Sequence, residues 1–140
     1  MKLTEMNELF YTKRVLEFAD QNLKAESVQV RESFSAHTST TLWGLWQGVF
    51  GLAANQLIAV SAHAELDDNW RPPEGCEVVD QWVVKPTARP QSPAPLMRAG
   101  VYVFRDFWLP YEHLQEAVTL SSAAWQTFES DEAFAAEPMG

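Results

Sequence analysis

A faint internal repeat constrains this chain more than any other feature. Leu9 to Phe18 returns 91 residues later as Gly100 to Leu109, with Tyr11-x-x-Arg14 matched by Tyr102-x-x-Arg105. Both copies are rich in aromatic and β-branched residues, which fit a pleated strand. A repeat of strand-bearing units predicts two related modules. The first would occupy residues 1–88 and a Pro-rich connector residues 89–99. Residues 100–140 would then supply the opening strand and helix of a second, incomplete module. A half-built module leaves an open sheet, and an open sheet needs something to cover it.

Between the two copies, Leu42–Phe50 and Gln56–His63 are apolar runs separated by Gly51 to Asn55, where Gly and Asn tolerate the positive φ of a turn. This reads as a hairpin. Residues 20–40 fit a helix, with Leu23, Val30 and Phe34 on one side and Asp20 as a possible N-cap, although Val28-Gln29-Val30 also alternates like a strand. Val78 to Lys85 is a further strand candidate. Four of the eight prolines fall in Pro86–Pro95, where lost backbone donors and a fixed φ favour an extended connector. From Tyr111 to Ser130, Leu114, Ala117, Val118, Ser121, Trp125 and Phe128 follow helical spacing. The order strand, helix, hairpin, crossover, strand is that of an α+β, ferredoxin-like module, an antiparallel sheet with helices on one face.

The stretch Gly44-Leu45-Trp46-Gln47-Gly48-Val49-Phe50-Gly51-Leu52-Ala53-Ala54-Asn55-Gln56-Leu57-Ile58 resembles the central hairpin of NIPSNAP-type domains. The two Tyr-x-x-Arg strands are similar to that family's opening strand. The resemblance implies a dimeric α/β barrel, in which two ferredoxin-like sheets face each other, and a homodimer as the working unit.

Composition narrows the function classes. The 19 Asp plus Glu against ten Lys plus Arg give a net charge of −9, which repels nucleic-acid phosphates and anionic membranes on average. Cys76 is the single cysteine, so no intramolecular disulfide can form, and a reducing, cytoplasmic setting is expected. The opening Met1 to Glu8 carries acids where a secretory leader needs a basic start, and no apolar run approaches a membrane span. There is no HExxH, no Cys/His cluster and no Gly-rich phosphate loop, so neither a metal nor a cofactor is expected.

Several residues are candidates for chemistry. Arg14 and Arg105 sit on otherwise apolar strand faces. Each must either close an internal ion pair or grip an anion, such as a carboxylate, inside the barrel. Gly44, Trp46, Gly48 and Phe50 share a strand face, where missing side chains could open a slot beside the rings or allow close packing. Trp46 and Asn55 join the two arginines as expected ligand-binding residues. His63, at the end of a strand, is the best of the three histidines as a catalytic base. The function these residues suggest is binding of a small organic or anionic ligand in the barrel. The alternative is a cofactor-independent monooxygenase or isomerase acting on an enolisable aromatic substrate. A third possibility is a pure assembly module, with the barrel filled by side chains.

Overall fold

A computed structural model describes residues 9–130 and 137–139. Its elements are strand β1 (Phe10–Phe18), helix α1 (Leu23–Ser35), strands β2 (Thr40–Gln47), β3 (Gln56–His63) and β4 (Cys76–Val84), and helix α2 (Leu114–Ser130), which a short 3-10 turn at Tyr111–His113 precedes. The strands form one sheet in the order β2-β3-β1-β4, with every neighbouring pair antiparallel. This α+β arrangement is compatible with a ferredoxin-like fold. One element of that plan is reduced: residues 64–75, between β3 and β4, carry no regular secondary structure.

The described chain divides into two compact units. One runs up to Lys85 and takes in Ser92–Leu96, and the other combines Pro86–Gln91 with the chain from Met97 onward. In the first unit, alternation along β1 separates the two sheet faces. Leu16 and Phe18 join Leu57 and Ala59 of β3 and meet Leu23, Val30 and Phe34 of α1, so this face is the helix-covered one. The helix starts two residues later than the Asp20 cap would place it. Asn22 Oδ1 accepts from Ala25 N at 3.4 Å, while Asp20 Oδ1 accepts from Asn22 N at 3.1 Å.

The expected hairpin is present, but β2 ends at Gln47 and the connection is longer, with Gly51 at φ 84°. The register shifts between Leu42 and Gly44, leaving Trp43 as an extra residue. Such a bulge re-aims a side chain. Here it turns Trp43 towards Tyr11 (5.5 Å between ring centroids) and Trp46 (6.1 Å), on the face opposite α1. Past the end of β4, the chain returns as Ser92–Leu96. Tyr11 Oη donates to Ser92 O at 3.4 Å, and Leu96 N donates to Trp43 O at 2.8 Å.

In the second unit the helix expected over 111–130 is found, but the strand expected over Val101–Leu109 is not, since residues 101–110 carry no regular secondary structure. Alternating residue types favour an extended chain, yet a strand exists only where hydrogen-bonded neighbours do, and the described residues of this unit include no other strand. Arg89 and Arg98 each pair with an acid in this unit, Glu129 and Glu137. The Arg89 guanidinium also lies 5.1 Å from the Trp125 ring centroid and donates to Pro138 O at 2.8 Å.

Candidate functional site

The most elaborate polar arrangement surrounds Arg14. On β1, Thr12 and Arg14 continue the row begun by Phe18 and Leu16, so they point to the side that α1 covers at the other end of the strand. The loop 64–75 covers them there. Arg14 Nη2 donates to Asp68 Oδ1 at 2.6 Å, Nη1 to Ser61 Oγ at 3.0 Å and Nε to Gln81 Oε1 at 3.1 Å. Ser61 Oγ donates in turn to Asp68 Oδ2 at 3.0 Å, and Trp70 N donates to Asp68 Oδ1 at 3.0 Å. The Arg14 and Asp68 side chains are 4% and 0% exposed, a depth at which an unmatched charge would be very costly. Burial by itself would raise the Asp68 carboxyl. The Arg14 hydrogen bond and charge, with the Trp70 amide and the Ser61 hydroxyl, outweigh it and hold the group below the ordinary aspartate value. Of the two expectations for Arg14, the internal ion pair is the one displayed.

Trp70 completes the anchor. Its ring lies parallel to Phe34 with centroids 4.5 Å apart, the Arg14 guanidinium stands 5.0 Å from its centroid, and Nε1 donates to Ser33 Oγ at 3.1 Å. One loop residue thus ties the crossover to both α1 and the sheet. Its approach is set by two successive Asx turns, Asp67 to Asn69 and Asp68 to Trp70, with Asn69 at φ 56°, a conformation that Asn tolerates well. Beside this anchor is a polar cleft of about 270 Å³, lined among others by Thr12, Arg14, Asp68, Arg71 and Gln81. Its two cations face two carboxylates, Asp67 and Asp68.

The other expected site residues lie elsewhere. Trp46 is on the sheet face opposite Arg14, because it pairs with Ile58 while Arg14 pairs with Ala59. Its ring covers Gly44 so closely that a Cβ at Gly44 would fall inside it, and a Cβ at Gly48 would collide with Leu52. Of the two readings of these glycines, a slot or close packing, close packing is the one displayed. Asn55 secures the hairpin to β1: its Nδ2 donates to Phe18 O at 2.9 Å and its carbonyl accepts from Phe18 N at 3.0 Å. Arg105 belongs to the second unit, in the irregular segment 101–110.

His63 is 3% exposed and stacks near Phe10 with centroids 6.2 Å apart. Nε2 lies 2.6 Å from Thr12 Oγ1, and Nδ1 is paired with Glu65 O. Both ring nitrogens are thus occupied. Among the described residues, no group of three or more His, Cys, Asp or Glu is placed to hold a metal ion, and no helix is long and apolar enough to cross a membrane.

Asp68, Ser61, Gln81 and Trp70 were missed in the sequence. The one available signal was the requirement that Arg14 find an acid. Comparison with protein-family models, curated proteins and solved structures returns no match.

Proposed function

We propose that the chain is a NIPSNAP-like protein of the dimeric α/β-barrel kind that binds a small organic or anionic molecule and works as a homodimer. The unlikeness of the two sheet faces carries this reading. One face is sealed by α1 and by the Arg14–Asp68 anchor. On the other, Val15, Ile58 and Trp46 are only half-buried and Trp82 is 49% exposed. Two such faces brought together would cover their apolar residues and enclose a space for a ligand. The resemblance of the hairpin to NIPSNAP-type domains supports the same assembly.

Sedimentation and native mass spectrometry test the assembly and the bound molecule together. The expected result is a dimer that retains a small-molecule mass and that Ile58→Glu converts to a folded monomer with unchanged far-ultraviolet dichroism. A wild-type chain that stays monomeric at every concentration would overturn the reading.

A further inference from the structure

A second cavity lies at the far end of α1, where the helix, the start of β2 and the returning Ser92–Leu96 segment meet. Its volume is about 410 Å³, within the range of small-molecule sites. Arg31, Ser35, His37 and Thr41 make its polar wall, and Phe34, Leu42 and Pro95 its apolar one, with Thr40 between them. No carboxylate lines it, in a chain where 19 acids outnumber ten Lys plus Arg.

Arg14, Arg89 and Arg98 pair with carboxylates, and Arg71 donates to the Trp70 carbonyl. The Arg31 guanidinium pairs with no carboxylate among the described residues, and Ser35 Oγ reaches only its backbone carbonyl, at 3.0 Å. His37 Nδ1 is 3.3 Å from Ser39 Oγ. Thr40 Oγ1 donates to Ala62 O at 3.3 Å. The Thr40 and Ser35 hydroxyl protons are thus committed to backbone carbonyls, and the Arg31 guanidinium is the charged donor of the wall.

The geometry points to a binding site for a small carboxylic acid with an apolar body. Its carboxylate would lie on the Arg31 fork, which suits two parallel hydrogen bonds, and its body against Phe34, Leu42 and Pro95. An overall charge of −9 repels anions from most of the surface, so an acid-free wall bearing a guanidinium and an imidazole is a selective place for one. The site lies at the edge of the sheet, where β2 meets the end of α1, and its argument does not use the barrel reading.

Benzoate titrated into the isotopically labelled full chain tests this by amide chemical shifts, with benzamide as the uncharged isostere. The expected result is a saturable shift confined to Arg31, His37 and the Thr40–Leu42 amides, with Kd below about 1 mM. Benzamide and the Arg31→Ala variant should each bind about tenfold or more weakly, the loss of roughly one charge-assisted contact. Arg31 is exposed on α1 and alanine is the best helix former, so that variant keeps its fold. Ser35→Glu, which places a carboxylate four residues from Arg31 on the same helix face, should abolish the shift. No saturable response, equal binding of benzamide, or unchanged binding in Arg31→Ala would each overturn the site. The shifts read the same in a monomer or a dimer, so failure of the barrel reading would not mimic failure here.

Discussion

The two helices carry similar amphipathic patterns and meet very different fates. On α1, the stripe Leu23, Val30 and Phe34 is 6%, 0% and 3% exposed, because the sheet presents Leu16, Phe18, Leu57 and Ala59 to receive it. On α2, Leu114 and Phe128 of the stripe are 38% and 48% exposed, Ala117, Val118 and Trp125 are only half-buried, and no residue is buried. Periodicity selects the helix, but only a complementary surface turns an apolar stripe into a core. The first unit has that surface, whereas the second shows an exposed helix braced by Arg89.

Truncating one ring on each helix gives the sharpest test of this contrast. Phe34→Ala would open a cavity beneath the stacked Trp70 and cost about 3–5 kcal/mol, whereas Phe128→Ala on α2 should stay within about 0.5 kcal/mol of the wild type. Urea denaturation of the two variants reads both values. Comparable losses would mean that α2 is held as firmly as α1, and the contrast between the units would fail.

The ion pairs extend the comparison to charge. Arg14→Leu strands Asp68 among buried groups, and loss of one partner at that depth costs about 3–5 kcal/mol. Arg89→Leu removes a pair whose side chains are each 34% exposed, and its denaturation midpoint should match the wild type. The buried pair also sets the acid limb. Because the folded Asp68 carboxyl is held below its ordinary value of 3.8, its contribution is fully present above that value and is lost as pH falls towards the lowered one. Asp68→Asn should therefore be less stable at neutral pH and show a shallower loss of stability below about pH 4. An acid limb of unchanged slope would assign the acid sensitivity to other carboxylates.

Local signals explain what the sequence discloses and where it falls silent. The stripe at Leu23, Val30 and Phe34, the turn at Gly51 and the strand-favouring residues of Val78–Lys85 are each set by residues close together in the chain, and each gives the element expected. Arg14 could be recognised as a residue that must be paired, but Asp68 lies 54 positions away. Their meeting depends on strand register and on a loop of two Asx turns. The strand expected over Val101–Leu109 fails for the complementary reason: its residue types suit a sheet, and its unit shows no neighbouring strand. The filled slot at Gly44 is a matter of one rotamer, which no spacing rule reveals. For Arg31, the sequence shows neither the absence of a carboxylate nor the proline that closes the cavity from 64 residues further along.

The smaller effects test how tightly the first unit is closed at its margins. Replacing the Asn22 cap by alanine should cost about 1 kcal/mol, the usual worth of such a contact. Cys76, where β4 begins, offers a chemical probe in the same region. Burial, and next the charge of Glu26, push its thiol up to about 11. Since only the thiolate attacks an alkylating agent, Cys76 at pH 8 should react slower than an ordinary exposed thiol by on the order of 100-fold. A cysteine introduced at the exposed Ser121 of α2, in a chain also carrying Cys76→Ser, should react at the ordinary rate. If Cys76 reacts as fast as the introduced thiol, β4 opens often enough at that end to expose it, and the first unit is less closed than its buried side chains imply.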